Sequence, residues 1–367
     1  MPLRRAGTMP ATTPSRWRGH VKEHAQGNRG NRGNRGNRGS WRNWRRCAFA
    51  TLLLAAACSG ITAQSVLAQA YPNRPLKIVV AFAAGSGSDI IARILADDLR
   101  HALNQPVVVE NRPGASAQIA AEYVAKSAPD GYTLFATSNT AHSANPSLFK
   151  ALRYDPLRDF TSISRVVTLP YVLVVPASSP LKSVADLVMR AAANPGKFNY
   201  GYGNSTSQLA GAAFVRQGKF DAAAVAYKSM PPALTDLMAG RLDFLFVDLT
   251  SAQGFLKSGH LRPIGFSLEK RYAQLPDVPA IAESPGYAGY EVTSWVGIVG
   301  PAGMPAGIVE RLNAELRRTL AKPEVRDKLA ALGSEVAASS PAEMDQFVRQ
   351  QVDSWRSKIR AAGIEPE

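Results

Sequence analysis

Two short polar runs and one isolated acid carry the residue types that could do chemistry in this chain. The run GSGSD (Gly85–Asp89) falls between an apolar stretch and a helical pattern. Its glycines permit positive φ and close approach of a ligand to the backbone, and a helix beginning there offers unpaired N–H groups at the positive end of its dipole. That is a place for an anion. The same run also reads as an ordinary helix start, with Ser88 or Asp89 bonding backbone amides and no ligand involved. A dinucleotide reading finds Glu110 closing the next apolar run, 25 residues after Gly85, but Ile90 stands where the third glycine of G-x-G-x-x-G belongs. GNSTS (Gly203–Ser207) is a second polar loop ahead of a helix, and Ser205 or Thr206 would serve as its cap. Asp248 ends the apolar run LDFLFVD, where it could act as a general base, contact a ligand amine or water, or cap a turn.

No catalytic constellation accompanies these groups. Beyond residue 70 the histidines are His101, His142 and His260, with no pair at metal-ligand spacing, and no G-x-S-x-G elbow occurs. The sequence points away from an enzyme and calls for no metal and no cofactor.

The elements that position the polar runs are short apolar stretches alternating with amphipathic helical patterns, the signature of an α/β fold with a largely parallel sheet. LKIVVAF (Leu76–Phe82) reads as a strand, and Ile90, Ile91, Ile94, Leu95, Leu99 and Leu103 keep helical spacing after it. PVVVE and YTLFAT (Tyr132–Thr137) are further strands, with a turn at Gly114 and a helix to about Lys126 between them. YVLVVPA (Tyr171–Ala177) leaves this first unit as a strand. In a second α/β unit, Pro232–Ala239 reads as a helix and Leu242–Asp248 as a buried strand. After YEVTSWVGIVGP the chain turns helical, with one apolar stripe through Ile308, Leu312 and Leu316 and another through Met344, Val348, Val352 and Trp355, both packing faces. Two lobes, 71–175 with 295–367 and 176–294, joined by crossings near 175 and 295, would enclose a ligand cleft.

Charge separates the start of the chain from the rest. Residues 1–70 hold 12 of the 43 Lys and Arg and a single acid, Glu23, whereas the remainder has 31 basic and 27 acidic residues, a net of +4. The basic surplus therefore sits in a tail, including four Asn-Arg-Gly units from Asn28 to Gly39, and gives no basic folded face for nucleic acid. Arg42, Arg45 and Arg46, the apolar run CAFATLLLAAAC and the sequence Ala68-Gln69-Ala70 form the charged, apolar and small-residue parts of an export signal, with cleavage expected after Ala70. The apolar core of about 12 residues is short for a spanning helix. Leu54-Ala-Ala-Ala-Cys58 resembles a displaced lipoprotein box, so a lipid anchor at Cys58 is an alternative to a soluble form. Both cysteines, Cys47 and Cys58, lie in this leader, which leaves the exported chain without thiols.

From YPNRPLKIVVAFAAGSGSDIIAR onward, the chain resembles the tripartite tricarboxylate transporter receptors, or Bug proteins, which are periplasmic solute receptors. The resemblance is carried by ENRPGA (Glu110–Ala115), APDGYTL (Ala128–Leu134), NPSL (Asn145–Leu148), DLMAGRLDFLFVD (Asp236–Asp248), LPDVPAIAE (Leu275–Glu283) and the segment with Trp295, Gly297 and Pro301. It implies a two-lobed, Venus-flytrap fold of the type II periplasmic binding proteins, with ligand carboxylates held by loop backbones, hydroxyls and ordered water. Carried over by position, the first-lobe contacts would be Phe82, Ala83, Ser86, Gly87, Ser88 and Asp89, then Thr137, Ser138, Asn139 and His142. Asn204, Ser205 and Asp248 would close from the second lobe, with Tyr227 at its flank. The chain departs from the family pattern at AGSGSD, where PGGGTD is usual. Ser116, Ala117 and Ala120 replace glycines and would fill space where backbone approaches solute. The GNSTSQL loop is about two residues shorter than usual and has Gln208 where histidine is common. The implied role is a periplasmic, monomeric receptor that takes a small organic carboxylate or amino acid to membrane permease subunits. A sensor feeding a signalling receptor is the alternative, and a secreted enzyme is a more distant one.

Overall fold

The computed structural model describes residues 71–367. The chain opens with β1 (Leu76–Val80), α1 (Gly87–Ala102), β2 (Val107–Asn111), α2 (Gln118–Ala125), β3 (Thr133–Ser138) and α3 (Asn145–Leu148), the last entered through a π-helical turn at Thr140–Ala144. β1 lies between β2 and β3 and is parallel to both. Ile78, Val79 and Val80 are fully buried because helices cover both faces of a parallel sheet. α1 turns Ile91, Ala92, Leu95 and Leu99 toward that sheet, the stripe that its 3.6-residue period requires.

β4 (Phe160–Pro176) joins the two lobes. Its first part, as far as Pro170, pairs with β9 (Thr293–Pro301), which in turn pairs with β3. From Tyr171 it pairs instead with β7 (Phe244–Asp248) and β8 (Leu261–Phe266). One strand thus belongs to two sheets, and the change falls at Pro170/Tyr171. The second lobe is completed by α4 (Val184–Ala193), β5 (Asn199–Tyr202), α5 (Ser205–Gly218), β6 (Ala223–Ala226), α6 (Met230–Met238) and α7 (Leu249–Lys257), with β7, β5 and β6 in parallel order.

The remaining elements are α8 (Ala306–Ala321), α9 (Pro323–Ala331), β10 (Glu335–Val336) and α10 (Pro341–Ala362). Pro323 and Pro341 occupy first-turn positions, where a missing N–H costs nothing. α10 belongs to both lobes: Met344 and Val348 pack with Val79 and Phe135, whereas Trp355 and Ile359 pack with Phe214 and Phe246. The chain therefore crosses between lobes at β4 and just before β9, and α10 lies across the junction.

The strand read from Tyr171 is only the second part of β4. Its first part, FTSISRVVTLP, mixes Thr, Ser and Arg with apolar residues and so hides its pairing in the sequence. The short strands β5, β6 and β8 also escape a periodicity reading. Among the described residues no helix is long and apolar enough to cross a membrane. The leader, the cleavage after Ala70 and the Cys58 anchor fall outside the described residues.

Candidate ligand-binding cleft

The lobes meet over a small cavity of about 20 Å³, little more than room for a water molecule. Four helix N-termini converge on it. Ser86, Gly87 and Ser88 bring the start of α1; Asn204, Met230 and Asp248 bring those of α5, α6 and α7. Among the described residues, no lysine, arginine or histidine lines it. Positive potential reaches this volume through backbone dipoles instead of cationic side chains.

The four ends are built differently. Ser86 is the N-cap of α1, yet its hydroxyl makes no capping bond; it is buried and has no hydrogen-bond partner. α6 likewise starts at Ser229 without a side-chain cap. Asn204 caps α5 by accepting from the Ser207 N–H at 2.9 Å, and the Ser207 hydroxyl in turn accepts from the Asn204 N–H. Asp248 caps α7, accepting from the Ser251 N–H at 2.8 Å and from the Ser251 hydroxyl at 2.9 Å. Gly203 holds the starts of α5 and α6 side by side, because any side chain there would strike the Ser229 backbone.

The decisive approach between lobes is that of Asp248 to Gly87. A methyl group built on Gly87 would run into the Asp248 carboxylate, so the acid of one lobe lies against the first turn of a helix from the other. Asp248 is buried, and that burial pushes its carboxyl up from the ordinary carboxylate value against the opposing bonds from Ser251. Tyr171 lines the same cavity and donates to Asn204 Oδ1 at 3.1 Å. Burial, and then the charge of Asp248, push its phenol far up.

Family comparison rests on most of the folded chain. The family described as the tripartite tricarboxylate transporter family receptor matches residues 91–364. The chain belongs to this family. A protein of the tcbD-tcbE intergenic region of Pseudomonas sp. strain P51 is 35% identical over 84% of the chain and 93% of its own length. BugT of Bordetella pertussis is 32% identical over 84% of the chain and 94% of its own length. Among solved structures, Rhodopseudomonas palustris Rpa4515 with adipate superposes with a TM-score of 0.79 at 34% identity, covering 81% of this chain and all of that one. MatC from the same organism, with bound malate, gives 0.74 at 30% identity over 79% of this chain and all of its own. The periplasmic binding protein BugD gives 0.77 at 32% identity over 81% of this chain and all of its own. The fold is thus the two-lobed one of the periplasmic binding proteins. The protein is a solute receptor and not an enzyme.

Within this receptor, Phe82, Ser86, Gly87, Ser88, Ser138, Asn204 and Asp248 line the cavity. Asn139 and Ser205 form the bridge beside it. Asn139 donates to Thr206 Oγ1 at 2.7 Å and to Ser205 Oγ at 3.3 Å, and accepts from the Ser294 hydroxyl of its own lobe. Thr140 shares a 2.9 Å hydroxyl contact with Ser205. Ser205 and Thr206 are therefore inter-lobe contacts, and Asn204 caps the helix that they were expected to cap.

Besides Asn139 and Ser205, five of the expected residues lie off the cavity. Ala83 supplies a carbonyl to the Ser86 N–H, a turn bond at 3.1 Å. Asp89 points back, accepting from the Gly85 N–H at 3.0 Å, from Arg93 and from Asn111. Burial pushes its carboxyl up, but these bonds prevail and hold it below the ordinary range. Thr137 and His142 bond to each other at 2.6 Å behind β3, where His142 packs on Phe160 at a 4.7 Å ring separation. Burial lowers the His142 pKa to about 3. Tyr227 donates to Asp236 at 2.8 Å, outside the cleft.

Sequence reasoning missed Thr140, Leu169, Tyr171, Met230 and Ser294, which also line the cavity. Met230 carried a usable signal, since Pro231 and Pro232 mark the start of a helix. Ser294 and Leu169 enter only through strand pairing, and nothing local marks them.

Proposed function

We propose that this receptor captures a small organic anion bearing carboxylate groups in the periplasm and delivers it, as a monomer, to the membrane permease subunits of a tripartite transporter. One observation carries the reading: helix N-termini converge on a cavity with no cationic side chain, and the buried Ser86 hydroxyl there has no partner. A hydroxyl and free N–H groups at a positive helix end form a donor set for a carboxylate. The adipate and malate seated in the two related R. palustris proteins support the same class, and the leader of residues 1–70, with cleavage after Ala70, supports export. Binding needs a wider cleft than the closed one, so the solute enters with the lobes parted and closure follows. The contacts we assign are Ser86, Gly87 and Ser88 of the first lobe and Asn204 and Asp248 of the second.

The test is a thermal-shift panel on the exported protein with adipate, malate, citrate, amino acids and aromatic acids, followed by mass spectrometry of the bound solute. At least one carboxylate should raise the melting temperature and be recovered unchanged. Ser86→Ala should weaken that solute by about 3- to 10-fold, the equivalent of one lost hydrogen bond. Consumption of the solute, or no stabilisation by any carboxylate, would sink the proposal.

A further inference from the structure

Asp248 presents solute capture with a charge to neutralise. Asp248 is 3% exposed, and its carboxylate faces Gly87 at the start of α1 and accepts hydrogen bonds from the Ser251 N–H and hydroxyl. Among the described residues, the charged and titratable groups around it offer no counter-charge. On α1, Asp89 is turned away to Arg93, and Arg93 reaches out to Asn111. On β4 the facing group is the Tyr171 phenol. Lys228, ahead of α6, is exposed and outside the cavity lining. α5 and α7 bring Asn204, Leu249, Thr250 and Ser251 to this end, none of them charged.

A solute carboxylate docked at the α1 N-terminus would share this volume with Asp248 once the lobes close. Two carboxylates in one desolvated site do not both stay ionised, because each raises the pKa of the other. A bound proton on Asp248 removes the conflict and supplies a donor. One carboxyl oxygen keeps a bond from Ser251, and the other, as O–H, donates to the solute.

We propose that Asp248 takes up one proton from solvent when a carboxylate solute is captured, so that the receptor binds anion and proton together. The proposal rests on the carboxylate reading of the cleft. No bond of the solute is made or broken; the proton moves from water to the Asp248 carboxylate and returns when the lobes part. The sign follows from burial. Asp248 has its higher pKa in the closed complex and its lower one when water reaches it, so affinity strengthens as pH falls between the two values, by at most about tenfold per pH unit.

Titration calorimetry of the exported protein with adipate, malate and citrate, at pH 5.5, 6.5 and 7.5 in buffers of different ionisation heat, counts the protons directly. The expected result is an uptake of up to one proton per solute bound, with dissociation constants falling toward pH 5.5. Asp248→Asn keeps an N-cap of equal quality, so α7 survives, and it should abolish both the uptake and the pH dependence. Ser86→Ala should weaken binding and keep the uptake. If one of the three solutes binds with no proton uptake, or if uptake persists in Asp248→Asn, this proposal falls while the carboxylate reading stands. If none of the three binds the wild-type protein, both fall.

Discussion

The first lobe brings α1 to the cavity with its N-terminus unfinished, whereas the second lobe brings two of its three helix ends already closed by their own residues. Ser86 stands at the α1 cap position and bonds nothing, while Asn204 and Asp248 each satisfy the helix that they begin. An end without a side-chain cap keeps donors for a ligand, and a capped end is rigid. The contrast leaves unpartnered donors mainly on the first lobe. The second lobe supplies a preformed wall that closes on it, with the open start of α6 as a secondary donor.

The strongest way to break this comparison is to stop the wall from closing. Gly87 has ordinary helical geometry, so Gly87→Ala leaves α1 intact, but the added methyl meets an Asp248 carboxylate pinned by Ser251. Overpacking of this kind costs about 1 to 3 kcal/mol, so solute affinity should fall by about 10- to 100-fold with no loss of melting temperature for the unliganded protein. Unchanged affinity in a binding titration would remove Gly87 and Asp248 from the closing contact. Next in size is the bridge between lobes. Asn139→Ala removes the bonds to Ser205 and Thr206, and should weaken binding by about tenfold through an easier opening, at about 1 to 2 kcal/mol. Small-angle scattering of the variant should show a more extended average shape; an identical profile would mean that the bridge does not hold the closed form.

The smallest effect concerns stability alone. Ser116 and Ala117 hold left-handed backbone, the conformation that favours glycine, with φ of 48° at Ser116 and 72° at Ala117. The loop lies outside the lining of the closed cavity, and these side chains strain the backbone. Because a left-handed conformation costs a residue with Cβ about 1 to 2 kcal/mol, Ser116→Gly should raise the melting temperature by a few degrees and leave solute affinity unchanged. A fall in melting temperature would show that neighbouring contacts already offset the strain.

Several parts of this organisation are legible in the sequence. The strand Leu76–Val80 and helix Gly87–Ala102 are fixed by local periodicity, and the apolar stripes of α8 and α10 by helical spacing. GSGSD was recognisable as a helix start with room for an anion. Function was less legible residue by residue. Asp89 bonds a backbone amide at the helix start, that of Gly85, as its place in the run suggests, but the cap position itself falls to Ser86; Ser205 and Thr206 read as caps, and they are bridges. Such assignments turn on where a hydroxyl points, which the chain around it does not specify.

By itself the sequence determined the alternation of strand and helix, the confinement of excess positive charge and both cysteines to the first 70 residues, and the placing of polar loops at helix starts. Hydrophobic period and charge are properties of the local chain, and they survive without a partner. The tertiary structure alone decided that four helix starts meet, that β4 changes sheets at Pro170/Tyr171, and that Asp248 comes to rest against Gly87, 161 positions away in the chain. Those outcomes depend on how two lobes pack, and burial there gives an ordinary capping acid its raised pKa.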